Sequence, residues 1–265
     1  MKISFDRPRL SGCSYFIILV LFPFTLWVIP NRSLNMTVFL LLGIFYIFSK
    51  YLGWLQKLHP ILEILFLFLA VNRLLDILGL SIIFPVNHLI TLILLYGFAF
   101  RLRKFNRSAL FIRSGSVPSN IWLAIIFTVL AITGLAWWFR ELASNPYARF
   151  IPDLPLHFIL PLGIGFAVIN SIYEEGIFRS IFLGSFNQLF HHRLALLLQG
   201  IWFSFLHYQN GFPAGITGMM MTFIFGIMMG VLVRRTRGLL LAIVIHAIAD
   251  FWIFLLIVLR MQGMF

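Results

Sequence analysis

The chain has 265 residues, of which 61% are hydrophobic and only 11% are charged. Soluble domains contain roughly 45–50% apolar and about 25% charged residues, so this composition excludes a soluble globular protein and predicts one that crosses a membrane repeatedly. The formal net charge of +12 would suggest nucleic-acid binding in a soluble protein. Here the basic residues lie between apolar segments, so we assign them to topology and lipid headgroups and expect no nucleic-acid partner.

Cys13 is the only cysteine in the sequence. An intramolecular disulfide, a cysteine-based metal cluster and a CxxC redox pair are therefore excluded. Three basic residues precede an apolar stretch at 15–29, as in a signal peptide, but residues 23–36 contain no cleavage motif of small residues. We expect this stretch to be retained as the first span.

Nine apolar segments have roughly the length needed to cross a bilayer. They lie at about 13–29, 35–52, 60–82, 84–100, 120–139, 156–173, 194–209, 214–233 and 239–260. The fourth and seventh segments are short, so eight spans are an alternative to nine. The sequence thus predicts an all-α fold, a polytopic transmembrane helix bundle of eight or nine spans.

The distribution of lysine and arginine supports nine spans with the N-terminus in the cytoplasm. The inner segments then carry fifteen basic residues: Lys2, Arg7, Arg9, Lys50, Lys57, Arg101, Arg103, Lys104, Arg107, Arg113, Arg179, Arg193, Arg234, Arg235 and Arg237. The outer segments carry four: Arg32, Arg140, Arg149 and Arg260. Compact loops and the lack of a eukaryotic retention signal favour a prokaryotic inner membrane.

The longest polar interval, residues 101–119, has a basic half followed by a Ser/Gly/Pro-rich half typical of a linker. We place a boundary there. Residues 1–115 are predicted to form an N-terminal module of about four spans and residues 116–265 a second module. In the third span, Arg73 and Asp76 are spaced for an intrahelical ion pair, and Glu63 and His59 are expected to reach the interface with their polar ends.

Polar groups recur at membrane depth in three helices of the second module. They are Glu174, Glu175 and Arg179 at the end of the sixth span, His207 on the seventh, and His246 and Asp250 on the ninth. An ionisable residue inside a membrane span is costly and is by default a functional candidate. His246 and Asp250, four residues apart, share one helical face.

Helical geometry separates the roles of the two adjacent glutamates. Glu175 and Arg179 are four residues apart with the acid first, which favours an ion pair. Glu174 lies about 100° away around the helix and can face the bundle interior, as a general base requires. The alternative is that all three residues form an interfacial salt-bridge cluster.

Two further functions could use the same residues. Two glutamates and two histidines could bind zinc, but no HExxH motif is present and the ligands would come from three helices. The same groups could relay protons in a transporter, although the sequence shows neither inverted halves nor paired broken helices.

Three short motifs resemble those of the CAAX protease and bacteriocin-processing family, also called the Abi family. They are Glu174-Glu175-x-x-x-Arg179, Phe203-x-x-x-His207 and His246-x-x-x-Asp250, in this order on the last four spans. The resemblance covers about residues 120–260. Each motif alone is weak, whereas all three in order within membrane spans are fairly specific.

This resemblance implies an intramembrane endopeptidase of the glutamic type, related to type II CAAX prenyl endopeptidases. Glu174 and His207 would hold and activate a water that attacks the scissile carbonyl, and His246 with residue 250 would stabilise the oxyanion. Glu175, Arg179 and Phe203 would support the site. No cofactor is expected, with zinc as the minority alternative.

Asp250 departs from the eukaryotic enzymes of this family, which have Asn at that position, whereas the broader family accepts Asn or Asp. An ionised aspartate only accepts hydrogen bonds and would repel an oxyanion. Asp250 is therefore either protonated or orients His246, and we prefer the orienting role.

The sequence thus predicts a protease whose partners are membrane lipid and a membrane-anchored or C-terminal-tail peptide, which could be lipidated or carry a sorting signal. A non-proteolytic membrane protein is the alternative, either a proton-coupled transporter or an immunity-type binding partner. Nothing in the sequence identifies the substrate.

Overall fold

The structure is a computed structural model. It describes residues 17–53, 55–81, 83–101, 110–142, 145–152 and 154–264. Cys13 and the N-terminal basic residues lie outside the described residues, as do Arg103, Lys104 and Arg107.

Every regular element in the described ranges is helical. The α-helices are α1 (Phe22–Val28), α2 (Arg32–Phe48), α3 (His59–Ile77), α4 (Val86–Arg101), α5 (Ile121–Arg140), α6 (Leu156–Glu175), α7 (Leu183–Leu189), α8 (His192–Asn210), α9 (Gly215–Thr236) and α10 (Leu240–Met261). Short π-helical segments at Ile17–Leu21 and Gly176–Phe182 lead into α1 and α7. The predicted all-α fold is confirmed.

Local sequence signals explain where several helices begin. Asn31 precedes α2, and its side chain accepts a hydrogen bond from the backbone N–H of Leu34 at 3.0 Å, as N-cap residues do. Pro60 lies in the first turn of α3, where its missing N–H costs nothing.

Among the residues that the structure describes, four helices are long and apolar enough to cross a membrane. They are Pro118–Arg140, Leu156–Leu189, Gly215–Thr236 and Leu240–Met261. Shorter apolar helices lie at Leu19–Val28, Arg32–Phe48 and Val86–Arg101. The protein is therefore an integral membrane protein, and the count of eight or nine spans stays a prediction.

The outward face of α5 is apolar, as a lipid-facing helix requires. Ile125, Leu130 and Trp137 are 59%, 54% and 61% exposed. Water would penalise this surface by about 25 cal/mol per Å², whereas hydrocarbon does not.

The chain divides into two compact units. The first consists of Met1–Leu110 with Ile181–Ile227, and the second of Phe111–Ser180 with Met228–Phe265. The boundary after residue 115 that the linker composition predicts stays a prediction.

Aromatic packing holds the first unit around Trp202. The ring of this residue meets Trp27 and Phe182 edge to face, each at a centroid distance of 5.3 Å, and Phe182 meets Phe68 at 5.6 Å. The indole N–H of Trp202 donates to the carbonyl of Leu19. Edge-to-face pairs add about 0.5–1.5 kcal/mol each to the burial of the rings.

The polar residues of α3 behave in two ways. Arg73 and Asp76 form the predicted ion pair, Nη1 to Oδ2 at 3.9 Å, with side chains 38% and 52% exposed. The prediction that His59 and Glu63 reach the interface is wrong, because each side chain is only 12% exposed. Tertiary partners on α2 enclose them instead.

The enclosed group, named here the Glu63 cluster, consists of Tyr46, Ser49, His59 and Glu63. Glu63 Oε2 lies 3.9 Å from Nε2 of His59, and Glu63 Oε1 accepts a hydrogen bond from the Tyr46 hydroxyl at 3.3 Å. The Ser49 hydroxyl lies 2.6 Å from Nδ1 of His59. These contacts join α2 to α3.

In the second unit, α10 packs against both α5 and α6. Gly163 on α6 meets Phe254 on α10 so closely that a Cβ at position 163 would lie 2.4 Å from the ring. At the far end of α10, the Arg260 guanidinium lies 4.4 Å from the centre of the Phe139 ring and donates to the carbonyl of Leu142 at 3.0 Å. These contacts set the register of α10 along α6.

Candidate active site

The two adjacent glutamates end α6, and the chain continues as a π-helix from Gly176 to Phe182. The sequence predicts that the sixth span ends near residue 173, but the apolar helical stretch runs from Leu156 to Leu189. The charged residues do not end it because their partners are buried with them. A π-helical turn in a membrane span is uncommon and is frequent at functional sites.

Glu175 and Arg179 form the expected ion pair, with Oε2 and Nε 3.2 Å apart and both side chains fully buried. The other oxygen of Glu175 has a partner that sequence reasoning did not assign. Its Oε1 lies 2.7 Å from Nδ1 of His246 on α10. Glu175 therefore links a cation on its own helix to an imidazole on another.

His246 presents its second ring nitrogen to two other carboxyl groups. Nε2 lies 3.5 Å from Glu174 Oε2 and 3.6 Å from Asp250 Oδ1. The contact at Nδ1 is much shorter than either, so Glu175 is the principal partner that orients the ring in the structure. Asp250 lies at the opposite side of the same imidazole.

Asn170 was missed by sequence reasoning. Its side-chain amide nitrogen donates to Asp250 Oδ2 at 3.0 Å and lies 3.4 Å from Glu174 Oε1. A signal was available, because Asn170 precedes Glu174 by four residues and therefore shares its helical face. The sequence does not reveal the partner of this asparagine on another helix, because the contact with Asp250 depends on how α6 packs against α10.

Glu174 combines partial access with an unused acceptor. Its side chain is 16% exposed, whereas that of Glu175 is fully buried. Within the described part of the chain, Glu174 Oε2 has no hydrogen-bond partner. This oxygen is itself buried, so the unused acceptor lies inside the cluster and not on the exposed part of the side chain.

The cluster contains more acid than base. Glu174, Glu175 and Asp250 face Arg179 and His246, so one carboxyl group is uncompensated even when the imidazole carries a proton. Crowded carboxyl groups cannot all ionise freely in a low-dielectric site. Such groups can hold and transfer protons, and they mark candidate functional sites.

His207 and Phe203 belong to α8 in the first unit. Nδ1 of His207 lies 2.9 Å from the carbonyl oxygen of Phe203. A carbonyl only accepts, so Nδ1 carries the proton and Nε2 is the acceptor nitrogen of the neutral ring. Such a tautomer suits a residue that receives a hydrogen bond from water.

Gly211 closes the chain against His207. A Cβ at position 211 would lie 2.6 Å from Cα and Cβ of His207. Phe203, which is 1% exposed, lies beside the imidazole with the two ring planes tilted by 55° and the centroids 4.5 Å apart. The position of the imidazole is therefore fixed by a hydrogen bond to a backbone carbonyl, by the ring of Phe203 and by the close approach of Gly211.

The structure thus brings five of the predicted site residues together between α6 and α10: Glu174, Glu175, Arg179, His246 and Asp250. His207 and Phe203 lie together on α8. In the ranges that the structure describes, no group of three or more His, Cys, Asp and Glu side chains is arranged to hold a metal ion. The roles assigned to these residues stay predictions.

Residues 156–252 match the family model described as type II CAAX prenyl endopeptidase Rce1-like. The matched segment includes every residue of the three motifs and also Asn170. No curated protein and no solved structure matches the chain.

Proposed function

Starting from the Rce1-like domain at residues 156–252, we propose that this integral membrane protein is an intramembrane endopeptidase in which a glutamate activates the attacking water. The position of Glu174 is the observation that supports this proposal most directly. Its Oε2, a buried acceptor, faces Nε2 of His246 at 3.5 Å. A general base must lie within hydrogen-bond reach of the proton that it removes, directly or through one water.

The reaction is an ordinary amide hydrolysis. Glu174 and His207 hold a water, and Glu174 takes one of its protons as the oxygen attacks the scissile carbonyl carbon. The tetrahedral intermediate carries an oxyanion until the C–N bond breaks. The proton then passes to the leaving amine, and the products are a carboxylate and a free amino terminus.

His246 is assigned to the oxyanion. Glu175 holds Nδ1–H at 2.7 Å and so stabilises positive charge on the imidazole, as the aspartate of a serine-protease triad does. With that charge, Nε2–H can donate to the developing oxyanion. Arg179 compensates the buried charge of Glu175 through the 3.2 Å pair.

Asp250 is assigned an orienting role rather than an oxyanion role. Its Oδ2 accepts from Asn170 and its Oδ1 faces Nε2 of His246. Both contacts use the carboxyl group as an acceptor, whereas oxyanion stabilisation requires a donor.

The proposed substrate is a peptide held at the membrane, either a membrane-anchored protein or a C-terminal tail, with or without a lipid. The N-terminus of the enzyme is proposed to lie in the cytoplasm, because the basic residues concentrate in the inner segments. The compact loops and the lack of a eukaryotic retention signal support a prokaryotic inner membrane.

The test uses purified protein reconstituted into liposomes and quenched fluorescent peptides that end in a CAAX sequence, with and without an S-farnesyl group. The parent should cleave at least one peptide, and Glu174→Ala should lower the rate about 100- to 10,000-fold. Both proteins should appear equally in the membrane fraction and in gel filtration. Full activity of the variant would overturn the proposal.

Two further arms examine the alternatives. Activity lost on chelation and restored by zinc would replace the metal-free mechanism with a metal-dependent one. Proton-coupled flux that survives loss of both His207 and His246, without peptide cleavage, would favour a transporter. A proteomic comparison of cells with the parent and with Glu174→Ala identifies the uncleaved natural substrate.

A further inference from the structure

We infer that Asn170 is a positioning residue of the active site, which holds Glu174 and Asp250 in the orientation that both need toward His246. The inference rests on the proposed function and adds to it a residue outside the three motifs. Asn170 is half-buried on α6, four residues before the proposed base.

Four side chains lie in a ring in which an amide nitrogen and an imidazole nitrogen alternate with two carboxyl groups. The amide nitrogen of Asn170 faces Glu174 Oε1 at 3.4 Å and Asp250 Oδ2 at 3.0 Å. Nε2 of His246 faces the other oxygen of each carboxyl group, Glu174 Oε2 at 3.5 Å and Asp250 Oδ1 at 3.6 Å. Each carboxyl group thus lies between one amide nitrogen and one imidazole nitrogen.

This arrangement fixes the planes of both carboxyl groups. A carboxyl group rotates freely about its last bond unless both oxygens are engaged. The amide engages the oxygens that point away from His246, so the other two oxygens turn toward Nε2. Without Asn170, Glu174 Oε2 would lose the constraint that aims it at the place where a water must bind.

An asparagine fits this position for a chemical reason. Its amide nitrogen offers two N–H donors and carries no charge, so one atom can serve two acceptors without changing the charge of the cluster. A leucine of similar size would remove both donors. An aspartate would add a fourth carboxyl group beside Glu174, Glu175 and Asp250.

The pair between Asn170 and Asp250 allows a swap. Asn170→Asp alone places two carboxyl groups at a separation of about 3 Å, where like charges repel strongly. Asp250→Asn alone leaves an acceptor, the amide oxygen, available to Asn170. The double variant Asn170→Asp/Asp250→Asn restores the amide–carboxyl contact between positions 170 and 250, with the donor on the opposite helix and the net charge unchanged. It keeps a carboxyl group 3.4 Å from Glu174 Oε1, so recovery relative to Asn170→Asp should be partial.

The experiment measures kcat, KM and the pH–rate profile for the parent, both single variants and the double variant, with the farnesylated quenched peptide in liposomes. Asn170→Asp should lower kcat about 100-fold with little change in KM, and Asp250→Asn about 10-fold. The double variant should be at least about ten times faster than Asn170→Asp, a coupling of the size that neighbouring side chains show.

Two readouts separate positioning from general stability. Asn170→Asp should change the shape of the pH–rate profile, because it adds an ionisable group to the ring, and the double variant should return it toward that of the parent. Asn72→Asp is the matched control, since the amide of Asn72 donates to the carbonyl of Phe68 on its own helix. Its kcat should stay within about twofold of the parent.

Failure of this inference is distinguishable from failure of the proposed function. A parent that cleaves and a double variant less than about ten times faster than Asn170→Asp would overturn the role of Asn170 alone. A parent that cleaves no peptide counts against the proposed function. In that case the unfolding midpoints of the same four proteins in detergent still test the contact between Asn170 and Asp250. If the shifts of the two single variants add up to the shift of the double variant, the contact is overturned.

Discussion

Two buried polar clusters in this protein contain a histidine and a glutamate, yet they differ in how their charges balance. In the Glu63 cluster, one glutamate faces one histidine on the same helix. Tyr46 on α2 and Ser49, the residue that follows α2, complete the contacts. Between α6 and α10, three carboxyl groups surround a single imidazole. The first cluster joins two helices, whereas the second contains more acidic groups than basic partners.

The comparison shows that burial of polar groups in a membrane protein is not sufficient to identify an active site. A single acid paired with a single base can be neutral as a unit, and its partners tie helices together. An unpaired acceptor oxygen does not separate the two clusters, because Glu63 Oε2 and Glu174 Oε2 both lack a hydrogen-bond partner in the described chain. The excess of acidic over basic groups does separate them, and such an excess is costly without a function. The second arrangement is the one that we assign to catalysis.

The largest expected difference between the clusters is in activity. Glu174→Gln should lower the cleavage rate about 100- to 10,000-fold, because an amide cannot take a proton from water. Glu63→Gln is the matched change in the other cluster and should leave the rate within about threefold. Peptide cleavage in liposomes measures both rates. Equal losses in the two variants would show that the balance of acidic and basic groups does not identify the active site.

The next largest effect is on stability and concerns two ion pairs. Glu175→Gln leaves the fully buried Arg179 without its carboxylate partner. The free energy of unfolding should therefore fall by about 3–5 kcal/mol. Asp76→Asn breaks the ion pair with Arg73. The two side chains of this pair are 38% and 52% exposed, so the change should lower the free energy of unfolding by about 0–1 kcal/mol.

Equilibrium unfolding in mixed detergent and SDS micelles measures the two costs. Parent-like stability of Glu175→Gln would contradict the view that this glutamate compensates a buried cation.

A smaller effect tests the role proposed for His207. Gly211→Ala introduces a Cβ about 2.6 Å from the backbone and Cβ of His207 and must displace it. A displacement of about 1 Å can cost up to about 100-fold in rate, so a loss of about 10- to 100-fold is expected.

Gly97→Ala serves as the control for Gly211→Ala, because a Cβ at position 97 meets nothing within 4 Å. It should leave cleavage unchanged and should slightly stabilise α4, since alanine is the better helix former. Similar rates for the two variants would exclude a role for the position of His207.

The smallest effect is expected at Ser49, which is fully buried and lies 2.6 Å from His59. Ser49→Ala removes two hydrogen bonds, with the carbonyl of Tyr46 and with His59, and should destabilise the protein by about 1–2 kcal/mol. Cleavage should not change by more than about twofold. A large loss of activity with normal stability would assign a functional role to the Glu63 cluster.

The sequence by itself determined the features that depend on composition and on short spacing. An apolar composition leaves helices as the simplest structures that satisfy their backbone groups in lipid, and the all-α fold follows. The ion pairs of Glu175 with Arg179 and of Arg73 with Asp76 are local, because residues three or four apart on a helix are neighbours whatever the tertiary fold.

Contacts between helices were decided only by the tertiary structure. The approach of Gly163 to Phe254 sets the register of α6 and α10, and this register brings Asn170 to Asp250 and Glu175 to His246. Likewise, α2 encloses Glu63 and His59, which spacing alone had placed at the interface. Helical periodicity specifies the face on which a side chain lies, but its partner depends on which helix packs there and at what height.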